Sequence, residues 1–260
     1  MPEPTFLDLP ARSVAPRTTG LTHVIDNGIG VTATSDVLNG AGRYIDIWKV
    51  GWGVAYVDAA LHAKIELVAG IGVDVCLGGT LLEIAWAQGR AAECLAWAKA
   101  AGFTRVEVSR GTVDMSLAEK HTLIARAARD FGVLAEVGSK VAGEVQQAQR
   151  WPVECRGDLD AGAMLVVTEG RQSGTVGTFD QHGRVRADVV EAVAGAVGVE
   201  RVIFEAPQAS QQAWFVRRFG AGVNLGNVAP ADVLSAETLR LGLRADTARV
   251  PDAASDVASA

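Results

Sequence analysis

Histidine and cysteine, the side chains behind much nucleophilic and metal chemistry, are scarce here: four and three in 260 residues. His23, His62, His121 and His182 are scattered, and no HExxH pair occurs, which argues against a zincin-type centre. Cys76, Cys94 and Cys155 are widely spaced and odd in number. That pattern offers neither a zinc spacing nor a disulfide framework. They read as reduced thiols, with Cys94 on the core side of a helix. No serine or cysteine stands beside a histidine, which argues against covalent acyl transfer. No Gly-x-Gly-x-x-Gly opens a helix, so a dinucleotide fold lacks its fingerprint. Positive charge is not in excess: 24 Lys and Arg face 30 Asp and Glu, for a net charge of −6. A general nucleic-acid binder is usually basic, so that class is set aside. No apolar run reaches the ~18 residues of a membrane helix. The opening stretch, Met1 to Thr19, has an early acid, several prolines and no apolar core of a signal peptide, so a cytoplasmic location is expected. Residues 1–19 are expected to form an arm on the domain surface, and residues 249–260, small and polar, a flexible tail.

What the chain does contain is an alternation. Short β-branched runs are expected as strands at Leu21–Asp26, Tyr44–Lys49, Val73–Leu77, Arg105–Ser109, Val133–Val137, Met164–Glu169, Arg201–Glu205 and Val223–Leu225. Between them lie amphipathic stretches. "TLLEIAWAQGRAAECLAWAKAAGF" sets Leu82, Ala85, Trp86, Leu95 and Ala98 at helical spacing. "SLAEKHTLIARAARDFG" opens on a capping box, Ser116 with Glu119. "DVVEAVAGAVG" and "SQQAWFVRRFG" end in glycine, and "ADVLSAETLRLGLRAD" is the last helix, with a break expected near Gly242. The weakest helix holds Pro152. Trp151 and Trp214 suit either the core or a subunit contact. Eight strand–helix pairs in about 250 residues are the arithmetic of a (βα)8 TIM barrel. The expected fold is therefore α/β, a single-domain barrel over residues 20–248. A doubly wound open sheet is the runner-up.

Several strands end in a charge or an amide. "YIDIWKVG" ends near Lys49, "VLAEVG" holds Glu136, "LVVTEGR" carries Glu169 and Arg171, and "VIFEAPQ" carries Glu205 and Gln208. The other ends supply Asp26 and Asn27, Gly78-Gly79-Thr80, Ser109 with Arg110, Lys140, and Asn224 with Asn227. Barrels of this type build their sites at the C-terminal strand ends, so these residues are expected to ring a mouth. His23 is either a core histidine or a residue pointing into that mouth. For each charged pair the alternative is an ion pair closing the barrel, such as Glu169 with Arg171. Converging carboxylates without histidine or cysteine suit a hard cation, Mg²⁺, with Glu169 and Glu205 as the expected ligands. Surplus cations, Lys49, Arg110, Lys140 and Arg171, point to a polyanionic, phosphate-bearing substrate. "GGT" and "GRQSG" (Gly170–Gly174) offer backbone N–H groups for phosphate.

The stretches "YIDIWKVGWG", "GGTLLEIAWAQG", "GFTRVEVSRGTVDMS", "AEVGSK", "DLDAGAMLVVTEGRQSG", "VIFEAPQASQQ" and "VNLGNVAPADVLSAETLRLGLRADT" resemble, in order and from Gly20 to Thr247, the phosphosulfolactate synthase family. The resemblance implies a (βα)8 barrel that adds sulfite to phosphoenolpyruvate with Mg²⁺. The product is (2R)-phospho-3-sulfolactate, at the first step of coenzyme M or sulfolactate biosynthesis. Carried over by position, Lys140 matches the family's proton donor. Glu136, Lys49, Glu169, Arg171 and Glu205 match its other site residues. The resulting assignment takes Lys140, Glu136 and Lys49 as catalytic and Glu169 and Glu205 as metal ligands. Arg171, Arg110, Ser109, Gly79, Thr80, Gln208 and Asn224 are the expected substrate contacts. Expected partners are phosphoenolpyruvate, sulfite and further copies of the chain in a homo-oligomer, with no nucleic acid or membrane. The chain departs from the family pattern at Arg110, Asn27 and Ser139, where family members tend to carry Asp, Lys and Lys. Two alternatives stay open: a phosphoenolpyruvate enzyme with another nucleophile, and a non-catalytic relative of a plant heat-stress protein.

Overall fold

The computed structural model describes residues 5–138, 150–170 and 173–248. Eight parallel strands close into a barrel in sequence order. They are β1 (Thr22–Asp26), β2 (Ile47–Val50), β3 (Asp74–Leu77), β4 (Arg105–Val108), β5 (Gly132–Val137), β6 (Leu165–Thr168), β7 (Val202–Glu205) and β8 (Asn224–Val228). Every expected strand is present, with no end shifted by more than three residues. Closure is direct, since β1 pairs with both β2 and β8.

Side chains alternate along a strand, and the barrel uses both faces. Outward residues such as Val24, Trp48, Val75, Val106, Val166 and Phe204 belong to the main core beneath the helices. Phe204 stacks on Phe215 and Phe219 of the helix Ala209–Phe219, with centroids 4.7 and 5.7 Å away. Inward residues form a second, smaller cluster: Leu21, Ile47, Cys76, Leu134, Leu165, Val167 and Ile203. This apolar plug fills the barrel and forms the floor on which the site is built.

The helices follow the sequence with one division. The stretch expected as one long helix is two, Gly79–Ala87 and Ala91–Ala101, separated at Gly89 in a left-handed conformation (φ 71°). The capping box at Ser116 and Glu119 is formed. Pro152 sits in the first turn of the helix Trp151–Asp160, where its missing N–H costs no hydrogen bond. The last helix stops at Arg240, just before Gly242. Trp151 is buried, and Trp214 packs edge-on against Phe215, so both belong to the core packing. Among the described residues no helix is long and apolar enough to cross a membrane.

The arm lies on the N-terminal end of the barrel. Arg12 forms a two-pronged pair with Glu237, and Arg17 donates to Asp46 at 2.9 Å and to the Arg43 carbonyl. Arg240, buried, donates to the carbonyls of Ala221, Val223 and Leu21. These bonds satisfy backbone acceptors at the barrel base.

Candidate active site

Two residues past the apolar floor, the inward positions change character. Ile47 is followed by Lys49, Leu134 by Glu136, Val167 by Glu169 and Ile203 by Glu205. The same step takes Arg105 to Glu107 in β4. Period-two alternation thus stacks a charged layer on an apolar one. These five side chains line a cavity of about 230 Å³ at the C-terminal mouth, with Ile25, Trp52, Gly79, Thr80, Thr112 and Asn227.

All five charged groups are at most 5 % exposed. Lys49 donates to Glu107 Oε2 at 2.9 Å and to Glu205 Oε1 at 3.1 Å. Burial alone would lower its pKa; the carboxylates of Glu107, Glu205 and Glu136 outweigh that and hold it well above the ordinary lysine value. Lys49 is therefore a fixed cation. The other oxygens are positioned by backbone: Glu107 Oε1 accepts from Gly79 N at 3.0 Å and Glu205 Oε2 from Gly170 N at 2.9 Å. Gly79 is required there, since a Cβ would approach Glu107 Oε1 to 3.2 Å and run into Ser109 Oγ.

One carboxylate oxygen from each of Glu107, Glu136 and Glu205 lies within 4.8 Å of the others. The donors are all hard oxygens, with no sulfur or imidazole in the set, so they fit Mg²⁺. Two backbones at the rim are strained as well. Trp52 and Asn227 both have φ 51°, the positive-φ non-glycine residues among those described, and both line the cavity. For a residue as bulky as tryptophan this is a costly conformation of the kind that gathers at functional sites.

The remaining expected residues divide. Thr80 lines the cavity. Gly79 lines it too, but its N–H is engaged by Glu107, and those of Gly78 and Gly170 go to Val50 O and Glu205. These glycine N–H groups therefore close the barrel instead of offering a phosphate cradle. Ser109 donates to Glu83, which also accepts from Thr112 N and so fixes the loop after β4. Arg110 pairs with Glu154 through Nε at 3.2 Å and an Nη at 3.0 Å. Burial pushes the Glu154 carboxyl upward, but Lys120 and Arg110 outweigh it, and the net shift is downward. Gln208 caps the helix Ala209–Phe219 and donates to Ser173 O. Asp26 accepts from Gly28 N, Ile29 N, Trp48 and Lys64, which makes it a fastening at the end of β1. His23 is fully buried below the mouth, held neutral by burial and the Lys49 ammonium, with its pKa lowered to about 3. Lys140 and Arg171 lie outside the described residues, as does Ser139.

Asn224 is a correction. It opens β8 and points into the base, its Oδ1 accepting from Leu21 N and its Nδ2 donating to the carbonyls of Glu200 and Val202. The strand runs on to Val228, three residues beyond the expected end, so the amide that reaches the mouth is Asn227. Glu107 is absent from the expected strand-end residues for the mirror-image reason: it lies inside its strand, not at the end. The alternation in "RVEV" was the available signal.

A larger cavity, about 1320 Å³, lies at the opposite end, between the arm and the barrel base. Among its charges, Arg17 is fastened to Asp46 and Arg105 to Asp74. The carboxylate cluster is at the mouth, and the mouth is the candidate active site.

Comparison with known proteins decides the family. Residues 10–246 match the model of (2R)-phospho-3-sulfolactate synthase, ComA. The chain belongs to this family. A phosphosulfolactate synthase of Methanocaldococcus jannaschii is 43% identical over 237 residues, 88% of this chain and 93% of that one. A Bacillus subtilis phosphosulfolactate synthase is 38% identical over 93% of this chain and 97% of its own length. The chain is accordingly a phosphosulfolactate synthase, a lyase. A solved 3-hexulose-6-phosphate synthase from Salmonella typhimurium is similar in fold, with a TM-score of 0.56 at 16% identity over 88% of this chain and 93% of that one. Likeness to a plant protein, heat-stress-associated 32 of Arabidopsis thaliana, is confined to 56 residues, 22% of this chain and 19% of that one.

Proposed function

We propose that this synthase joins sulfite to C3 of phosphoenolpyruvate at the mouth of the barrel, forming (2R)-phospho-3-sulfolactate with Mg²⁺. The observation that carries the reading is the convergence of Glu107, Glu136 and Glu205 on Lys49 in one buried cavity. Both substrates are anions, about −2 and −3, and each pair of unit charges about 4 Å apart costs roughly 1 kcal/mol even in water. A carboxylate-lined cavity alone would add to that repulsion. Cations must therefore complete it.

Glu107, Glu136 and Glu205 would hold Mg²⁺, with Glu169 as the fourth carboxylate of the cavity. The metal, when bound, stabilises the charge that develops on the substrate carboxylate as sulfur attacks C3. Lys49 stays protonated and keeps Glu107 and Glu205 in register. The buried floor of Ile47, Leu134, Val167 and Ile203 excludes water from below, which strengthens each charge–charge contact. Thr80 offers a hydroxyl at the rim. Arg171 supplies a further positive charge for the phosphate or sulfite oxygens. Lys140 delivers the proton to C2 from one face, which sets the configuration of the product.

The test is incubation of the purified chain with phosphoenolpyruvate, sulfite and Mg²⁺, with the adduct followed by mass. Adduct formation that stops on chelation and returns with Mg²⁺ is the expected result. Phosphoenolpyruvate left unconsumed under all these conditions would overturn the reading.

A further inference from the structure

Asn227 has no part in the residue roles set out above, yet the structure treats it unusually. Its backbone is left-handed (φ 51°), its side chain is buried at 4 % exposure, and it lines the cavity. Among the described residues its Oδ1 has no hydrogen-bond partner. Buried amide oxygens without a partner are uncommon and need an explanation. Asparagine tolerates the left-handed region better than most residues, but that accounts for the backbone only, not for an amide directed into a charged cavity.

The position is also fixed from below. Asn227 N donates to His23 Nδ1 at 3.4 Å. His23 is fully buried, its pKa lowered to about 3 first by burial and then by the Lys49 ammonium, and in the Nε2–H tautomer of the neutral ring Nδ1 accepts this bond. Gly226 makes room for this contact: a Cβ there would come within 3.3 Å of His23 Nδ1 and 2.8 Å of Ile203 Cγ2. The turn at the end of β8 is thus held in one conformation, and that conformation presents the amide to the cavity.

We infer that Asn227 is a substrate-binding residue, its side-chain amide donating to an oxygen of phosphoenolpyruvate at the mouth of the barrel. The inference rests on the synthase reading and adds a neutral contact to it. An amide carries two N–H donors and a carbonyl; because no partner among the described residues holds the Oδ1 end, the amide can turn its NH₂ half to an anion without adding charge. Cations elsewhere in the site attract both substrates alike. A neutral donor at one position distinguishes one bound orientation from another, which fits the larger anion.

The decisive variant is Asn227→Gly, which keeps the left-handed backbone free of strain and deletes the amide. Phosphoenolpyruvate binding in the presence of Mg²⁺ is measured by calorimetry, and its KM with sulfite by steady-state kinetics, on the full chain. The expected result is a dissociation constant and KM about tenfold or more higher, with unfolding unchanged. Asn227→Asp keeps size and backbone tolerance but adds a negative charge, and should weaken binding further than glycine does. Wild-type binding and KM in Asn227→Gly would overturn the inference and leave Asn227 as a backbone device. Adduct formation by the wild type, run alongside, reports separately on the synthase reading.

Discussion

The two ends of this barrel are both rich in buried charge, and they use it differently. At the base, Arg17 meets Asp46, Arg105 meets Asp74, and Arg12 meets Glu237. Arg240 and Asn224 are consumed by backbone groups just before β1 and β8 and around the start of β7. At the mouth, four glutamates line one cavity with Lys49. Cations matched one to one with carboxylates or carbonyls fasten strands together. Carboxylate oxygens from three strands gathered within 4.8 Å of one another beside a cavity offer instead a set of donors for a bound ion. The lesson is that burial of charge does not identify a site; convergence of like donors on a cavity does. By this measure the larger cavity at the base is scaffold and the smaller one is chemistry.

The largest expected effect breaks the comparison at the metal. Exhaustive EDTA treatment should abolish adduct formation, and Mg²⁺ should restore it. Full activity in the chelated enzyme would mean that the glutamates balance only protein cations, like the charges at the base.

Next comes Lys49→Met. It removes the ammonium that bridges Glu107 and Glu205, so kcat/KM should fall by roughly 10²-fold, as expected for loss of two charge-assisted bonds. A variant with wild-type kinetics would place Lys49 in the fastening class. Asn224→Ala tests the other end. It leaves Leu21 N and the Glu200 and Val202 carbonyls without their partner, and should cost about 1–3 kcal/mol in denaturant unfolding. Its kcat/KM, measured below the transition, should match wild type. A selective loss of activity would return Asn224 to the site.

The smallest effect concerns His23, at the boundary between the layers. Burial first, then the Lys49 ammonium, lower its pKa from 6.5 to about 3 in the folded chain. The unfolded chain therefore binds the extra proton first as pH falls. Stability contributed by the neutral ring is complete above pH 6.5 and declines toward pH 3, by at most about 1.4 kcal/mol per pH unit. A His23→Gln variant should lose that part of the slope between pH 6.5 and 5. Parallel wild-type and variant curves would show that the folded ring titrates normally.

Much of the site was legible because period-two alternation in a strand is a local property. Lys49, Glu136, Glu169 and Glu205 each end a run whose preceding inward residues are apolar, and that pattern needs no coordinates. Glu107 shares the alternation but not the terminal position, so a strand-end pattern does not single it out. Asn224 and Asn227 were separable only by knowing how far β8 runs. Arg110 and Gln208 looked like substrate contacts because a charge or amide after a strand carries no record of its partner. Glu154, 44 residues away, and Ser173, 35 residues away, supply those partners.

The sequence by itself determined the eight-fold alternation, the outward and inward faces of the strands, the hard-oxygen character of the mouth and the family. The first three follow from short-range spacing and residue type, and the family from the likeness of whole stretches taken in order. Tertiary structure alone decided which carboxylates meet. Barrel closure brings β4, β5 and β7 around Lys49 of β2, and the stagger of the strands sets Glu107, Glu136 and Glu205 at one height. A distance of a few ångströms between residues up to 156 positions apart is a property of the closed sheet, and no local pattern encodes it.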